Sequence, residues 1–387
     1  MSEHPQVHGP ILCVVGARPN FMKMAPLLRA LSAQPQLMPP VLVHTGQHYD
    51  AAMSEQLFVG LGLPAPDINL DVGSGTHAVQ TAEIMRRFEP VVDTTRPSCV
   101  VVVGDVNSTL ACSLVAVKKD IPVAHVEAGL RSFDRTMPEE INRLLTDQMA
   151  DLLYTTERSA AENLRREGIP ADRIHFVGNV MIDSLAASRE HAVAPGVVLA
   201  RHDIDASILQ AESGFGVVTL HRPSNVDRKE DLAEALAILR DVCEMLPLVC
   251  LLHPRTRANI ERFGLAEVVA VPRIVVLPPQ GYLETVGLMT ASTLVITDSG
   301  GMQEETTALG VPCLTMRENT ERPITVEQGT NLLVGRNRAL IRECVRAILA
   351  GGGKRGRAPE LWDGCAAPRI AAHLARWLAC RAESAAG

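Results

Sequence analysis

Short apolar runs alternate with amphipathic stretches along the whole chain, and this constrains the fold more than any other feature. Residues 11–15 (ILCVV), 41–44, 100–103 and 122–126 are too short for buried helices and too uniformly apolar for strands with one wet face. They read as parallel strands buried on both sides. Between them, residues 24–32, 78–88 and 109–118 carry helical spacing. A second series follows at 217–220, 248–252, 273–277, 294–297 and 311–316, separated by helical stretches such as 232–246. Such alternation predicts doubly wound α/β units. The pattern lapses near residues 179–212, around HAVAPG at 191–196, and then restarts. At 387 residues the chain is long for one core and ample for two. The expectation is an α/β protein with two Rossmann-like, doubly wound domains facing across a cleft, residues 1–180 and 181–365. After the Gly-rich stretch 351–357 (GGGKRGR), the terminal segment 366–387 is expected to form a helix that packs back on the first domain.

Charge and cysteine usage narrow the partners. A net charge of −7 argues against nucleic acid, which needs an excess of Lys and Arg on one face. No stretch approaches the ~20 apolar residues of a membrane span, and the polar first ten residues with a short apolar run are not a signal peptide. Nine cysteines, odd in number, scattered and without a CxxC pair, suggest neither a zinc site nor a disulfide framework. Buried free thiols in a reducing cytoplasm are the expected state, with no metal and no nicotinamide.

In open α/β sheets ligands sit beyond the carboxyl ends of the strands, so the residues following each strand are the informative ones. After the first strand comes GARPNFMK, 16–23, which is not a dinucleotide loop because one glycine stands alone. Arg18 and Lys23 there are placed to meet an anion near a helix start; solvated loop cations are the plainer alternative. Asp105 follows the third strand in GDVNST, and Glu127 ends the next in HVEAGLR. Both end apolar strands and are costly to bury without a task. Glu139 opens a helix in MPEEINR, where a dipole-matching role is equally available. Several acids gathered together suit proton removal and return. His221 and His253 end equivalent strands of the second series, and no HExxH or His/Cys cluster supports a metal. The sharpest signal is LVITDSGGMQEE, 294–305. A buried strand runs into Ser299, Gly300 and Gly301 and then a helix, whose N-terminal N–H groups suit phosphate. Glu305, one turn in, suits vicinal ribose hydroxyls. An ordinary strand–turn–helix is the plain alternative; a nucleotide-diphosphate site is the stronger reading.

These residues resemble the non-hydrolysing UDP-N-acetylglucosamine 2-epimerases, which share the GT-B glycosyltransferase fold. Ten blocks match in order between Gly16 and about Gly335: GARPNFMKMAP, TGQHYD, GDVNST, HVEAGLRS, MPEEINR, GNVMID, LHPRT, DSGGMQEE, TERP and GTNLLVG. The resemblance implies that Arg18, Lys23, Asp105, Glu127 and His221 belong to the UDP-sugar site, with Asp105, Glu127 and Glu139 as the acids. It places Ser299, Gly300 and Gly301 on the pyrophosphate and Glu305 on ribose. Gln280 and Arg322 match further nucleotide contacts, and Arg143 and His253 match less settled positions. Thr285 stands where some members carry Phe near the uracil. The implied reaction eliminates UDP to 2-acetamidoglucal and adds it back, interconverting the UDP-linked N-acetylglucosamine and N-acetylmannosamine without a cofactor. A homodimer is implied by analogy. The alternatives are C2 epimerisation of a modified UDP sugar such as a diacetamido-glucuronate and, from other classes, a GT-B glycosyltransferase or a UDP-sugar-binding protein.

One departure bears on regulation. Several bacterial members bind an activating second substrate through the TGQH segment, an Arg some two dozen residues later and an HRRE-like loop. Here Gln47 and His48 remain, but Asp50 follows, Ser74 replaces the Arg, and the loop reads His221-Arg222-Pro223-Ser224. Losing a bidentate cation and gaining an anion weakens such a site, so no activation is expected.

Overall fold

The computed structural model describes residues 9–46 and 62–386. Two compact units emerge, Met1–Ala186 with Glu360–Gly387, and Ala187–Pro359. The described residues of the first form seven parallel strands: β1 (Ile11–Val15), β2 (Val41–His44), β3 (Ile68–Asn69), β4 (Cys99–Val103), β5 (Val123–Ala128), β6 (Leu152–Thr155) and β7 (Ile174–Phe176). Their order is β3-β2-β1-β4-β5-β6-β7. The described α-helices of this unit that precede the second unit are α1 (Arg18–Ser32), α2 (His77–Thr95), α3 (Asn107–Lys118), α4 (Pro138–Met149), α5 (Arg158–Arg166) and α6 (Val180–Arg189), whose last residues enter the second unit.

The second unit repeats the plan with α7 (Pro195–Ala200), β8 (Gly216–Thr219), α8 (Pro223–Val226), α9 (Lys229–Cys243), β9 (Leu248–Leu251), α10 (Pro254–Phe263), α11 (Ala266–Val269) and β10 (Ile274–Leu277). It continues through α12 (Tyr282–Ala291), β11 (Leu294–Thr297), α13 (Gly300–Leu309), β12 (Cys313–Thr315), α14 (Pro323–Glu327), β13 (Asn331–Leu333) and α15 (Arg338–Leu349). Its sheet is parallel, in the order β10-β9-β8-β11-β12-β13. Each unit thus has the doubly wound order 3-2-1-4-5-6, extended by β7 in the first. The strand order reverses between β1 and β4 in one and between β8 and β11 in the other, and these switch points are where such sheets bind ligands.

The strands form where Val, Ile, Leu and Cys run together, since both sheet faces are covered and neither needs polar alternation. Every residue of β1 and β4 is buried, and Ile84, Phe88 and Val92 of α2 pack on that sheet. The helix α2 continues past the expected end at residue 88, through Pro90 to Thr95. Its buried stripe, Gln80, Ile84, Phe88 and Val92 at intervals of four, holds the last turn in place although Pro90 supplies no N–H. The helix α1 starts six residues before the expected position, because Pro19 is tolerated in a first turn and the Asn20 side chain accepts from the Gly16 and Ala17 N–H groups. The strands β3, β6, β7 and β13 lie outside the runs read from sequence; each is four residues or fewer. The final helix α16 (Ala366–Ala386) belongs to the first unit and packs along α1, burying Ile370, Leu374 and Leu378. Asp183, in the GNVMID block, accepts from the N–H groups of Ala366 and Ala367 and so caps that helix from α6.

Candidate active site

In the first unit the polar groups collect beyond β1, β4 and β5. Lys23, one turn into α1, donates to Glu127 at 2.6 Å, and both side chains are at most 5% exposed. Two backbone features allow this pairing. Gly104 has φ +68°, and a Cβ there would stand 3.1 Å from Lys23 Nζ and 3.9 Å from Glu127 Oε1. Glu127 itself has φ +71° beside a register shift between β5 and β6, a strained conformation for a residue with a side chain. Asn20 ties the β1 loop to β4 through a 2.9 Å bond to the Val103 carbonyl.

Asp105 is half-buried at the start of the β4–α3 loop, where Arg143 Nε donates to its carboxylate at 3.0 Å. Asn142 of the same helix, α4, donates to the Asp105 carbonyl at 2.9 Å. Arg143 is held in turn by Glu140, which also accepts from Ser132 N and Oγ at 3.0 Å and Phe133 N at 2.9 Å. Glu139, its neighbour, is half-buried in the first turn of α4 and makes no hydrogen bond or ion pair with another described residue. The two acids of MPEE therefore differ: Glu140 is committed to the loop and Arg143, while Glu139 remains available. Behind them, His125 spans the Gly104 carbonyl (2.8 Å) and Asp147 (2.6 Å), and Asp147 also meets Arg131 at 2.7 Å. Burial alone would push the Asp147 carboxyl up, but His125 and Arg131 hold it below the ordinary range. Arg18 opens α1; its side chain lies outside the described set.

In the second unit Asp298, fully buried after β11, organises the end of β8. It accepts from the backbone N–H of His221 (3.0 Å) and Arg222 (2.9 Å) and from the Asn225 amide (3.1 Å). Its carboxylate also meets His221 Nδ1 at 3.0 Å. Burial opposes its charge, yet these donors keep the carboxyl below the ordinary range. An ionised Asp298 fixes the His221 proton on Nδ1 and leaves Nε2 for a ligand. The His253 ring, exposed at the end of β9, lies 5.8 Å from that of His221, and its Nδ1 accepts from Arg255 N at the start of α10.

Ser299 is the N-cap of α13, with Gly300 and Gly301 as its first helical residues. The N–H groups there have no intrahelical acceptor. A Cβ on Gly300 would meet Arg322 Nη1 at 2.6 Å and Glu321 Oε1 at 2.7 Å, so glycine is required by the neighbouring ion pair. Arg322 pairs with Glu304 at 2.9 Å and Glu321 at 2.6 Å. Glu305 is buried beside Tyr282, whose hydroxyl is held well above its ordinary range by burial and by that carboxylate. Gln280 donates to the Pro278 carbonyl at 2.9 Å and lies 3.0 Å from His202 Nε2. Thr285 Oγ1 donates to the Gly281 carbonyl at 2.8 Å within α12.

Sequence reasoning weighed Glu140 with Glu139 only as an acid at a helix start, and missed Asn20, Asp147 and Asp298, which touch its candidates rather than lead the motifs. Each lies within a quoted block or one helix beyond it, and that proximity was the available signal. Of the residues implicated in regulation, Gln47, His48 and Asp50 lie outside the described residues, and Ser74 is exposed. Among the described residues there is no group of three or more His, Cys, Asp or Glu side chains that could hold a metal.

Two parallel-sheet Rossmann-like units of GT-B type, with a glycine-opened helix at the switch point of one and clustered carboxylates at that of the other, define a nucleotide-sugar enzyme class. The chain belongs to the UDP-N-acetylglucosamine 2-epimerase family, whose family model matches residues 29–375. A UDP-2,3-diacetamido-2,3-dideoxy-D-glucuronate 2-epimerase of Pseudomonas aeruginosa is 43% identical over 95% of this chain and 99% of that protein. A UDP-N-acetylglucosamine 2-epimerase of Methanocaldococcus jannaschii is 41% identical over 87% of this chain and 91% of that protein. The crystal structure of Methanocaldococcus jannaschii UDP-GlcNAc 2-epimerase in complex with UDP-GlcNAc and UDP matches with a TM-score of 0.83 at 38% identity, covering 95% of this chain and 99% of that one.

Proposed function

We propose that this isomerase inverts carbon 2 of UDP-N-acetylglucosamine, interconverting it with UDP-N-acetylmannosamine. The observation that carries the reading is the arrangement of three carboxylates at neighbouring termini of the first unit. Glu127 is paired with Lys23, Asp105 with Arg143, and Glu139 has no described partner. Acids in such different surroundings suit proton removal on one face of a carbon and return on the other.

In this scheme a carboxylate takes the C2 proton while the C1–O bond breaks and its electron pair leaves with UDP. The product is 2-acetamidoglucal, with a double bond between C1 and C2. A UDP oxygen then re-attacks C1 as another acid delivers a proton to the opposite face of C2. The sum is redox-neutral, so no electron acceptor is needed. Asp105, Glu127 and Glu139 carry the protons, and Lys23 is the cation paired with Glu127. Arg322, Ser299, Gly300 and Gly301 hold the pyrophosphate as charge develops on it, and His221 presents Nε2. Glu305 takes the ribose, while Gln280, Arg18, Arg143 and His253 complete the contacts. The proposal thus assigns proton transfer to the first unit and the nucleotide to the second. We further take the enzyme to be a cytoplasmic homodimer acting on a UDP-sugar. Six of its nine free cysteines are buried, and no described helix is long and apolar enough to cross a membrane.

The 43% identity to the Pseudomonas aeruginosa protein supports a second reading, in which the substrate is a UDP-2,3-diacetamido-glucuronate. Comparing kcat/KM for the two UDP sugars decides between them. The first reading expects UDP-N-acetylglucosamine to be turned over at least tenfold more efficiently, and the reverse ranking overturns it.

A further inference from the structure

The cations of the second unit's nucleotide cradle share one anion that no assignment above uses. Glu321, only 3% exposed, meets Arg322 Nη1 at 2.6 Å through Oε1 and Arg317 Nη2 at 2.7 Å through Oε2. A third guanidinium, that of Arg222 from the loop after β8, stands 3.6 Å from Oε1. The arginines come from two separate segments, the β8–α8 loop and the β12–α14 loop, and Glu321 is the group common to all three. Glu304 also meets Arg322, so the described pairs set three cations against two carboxylates beside the first residue of α13. Burial pushes the Glu321 carboxyl up, but Arg322 and Arg317, with Arg222, hold it far below the ordinary range, so it stays an anion at any working pH. Guanidinium groups this close repel one another unless an anion lies among them.

We propose that Glu321 is a positioning residue for the nucleotide: a built-in anion that gathers Arg222, Arg317 and Arg322 over the Gly300 end of α13, so that a diphosphate meets a cationic cluster already assembled. The inference rests on the assignment of that end of α13 to the pyrophosphate. Preassembly lowers the ordering cost of binding, and bidentate arginines give geometry as well as charge. Once the diphosphate is in place it supplies the missing anion itself. Loss of Glu321 is therefore felt in binding far more than in the chemical step, the signature of uniform binding energy.

The test is UDP affinity by calorimetry on the full chain, with steady-state kinetics beside it, for wild type, Glu321→Asp and Glu321→Gln. The Gln variant keeps the shape and loses the charge. We expect its UDP Kd and its KM to rise at least tenfold while kcat changes less than threefold. The shorter carboxylate of Glu321→Asp should fall between, at roughly threefold. A merely structural ion pair predicts the opposite split, with fewer active molecules and so lower apparent kcat at unchanged KM. That result, or unchanged Kd in either variant, overturns the proposal; should Glu321→Gln fail to fold, the Kd of Glu321→Asp decides alone. A wild-type chain that binds UDP but does not epimerise UDP-N-acetylglucosamine overturns the function above and leaves this inference standing. One that binds no UDP overturns both.

Discussion

Replacing Lys23 by Met removes the described cation from beside Glu127, whose side chain is 2% exposed. At 2.6 Å the pair interacts by about 6 kcal/mol with an effective dielectric of ~20, an upper figure because desolvation opposes it. Removing one partner of a buried pair typically costs ~3–5 kcal/mol, whereas replacing both by neutral groups of similar shape costs little. The expected cycle is then a loss of about 3 kcal/mol for Lys23→Met, and a loss within ~1 kcal/mol for Lys23→Met with Glu127→Gln. The chain provides a selective assay. Its two tryptophans, Trp362 and Trp377, both lie in the first unit, so tryptophan fluorescence during urea unfolding reports that unit. The midpoint should drop in the single variant and largely recover in the double one. A single variant as stable as wild type, or a double variant no better than the single, would show that the pair is not the buried charge couple described.

Other outcomes follow from the same geometry. Asp105→Asn and Glu127→Gln should each lower kcat by roughly 10²–10⁴-fold while UDP affinity changes far less, as measured by turnover and calorimetry. Near-full turnover would reassign both as structural acids. His175, its ring centroid 3.9 Å from that of His373 of α16, is lowered from 6.5 to about 4 by burial, helped by His373 and opposed by Asp172. Because the unfolded chain takes up a proton near pH 6.5 that the folded chain refuses until about pH 4, stability should fall as pH drops through that window. The full depression corresponds to about 3 kcal/mol, which screening of a half-buried ring reduces to ~1–2 kcal/mol. Urea midpoints at pH 7 and pH 5 that coincide, or a His175→Gln variant with an unchanged pH slope, would contradict this. With Ser74 where an activating site would need Arg, rates should depend hyperbolically on substrate, and the reverse reaction should start without added UDP-N-acetylglucosamine; a sigmoidal curve shows that a second site persists.

The sheets were legible wherever a strand is a continuous apolar run: residues 11–15, 41–44 and 294–297 coincide with β1, β2 and β11. Short or mixed strands were not. LLYT of β6 and IHF of β7 carry polar residues and too few positions to show a period, and their strand state comes from pairing, β6 with β5 and β7 with β6. Helical spacing was read only over residues 78–88, but the buried stripe of α2 carries the helix through Pro90 to Thr95. Within the site, strand-end logic found Asp105, Glu127, His221 and the Ser299–Gly301 turn. It was blind to partners. Glu139 and Glu140 differ by one step of ~100° around α4, and only the packed helix shows that Glu140 is the one turned to Arg143. Asp298 and Glu321 look like ordinary acids in the sequence, because their roles depend on donors brought from the β8–α8 loop.

The central claim is proton exchange at carbon 2 through an elimination, and solvent isotope tests it most directly. Purified protein is incubated with UDP-N-acetylglucosamine in heavy water, and the nucleotide sugars are read by mass spectrometry and proton NMR. The account predicts a UDP-N-acetylmannosamine product carrying one deuterium at C2, with label also appearing at C2 of the remaining substrate as the reaction approaches equilibrium. An epimer formed without deuterium at C2, or consumption of the substrate with no epimer at all, contradicts it.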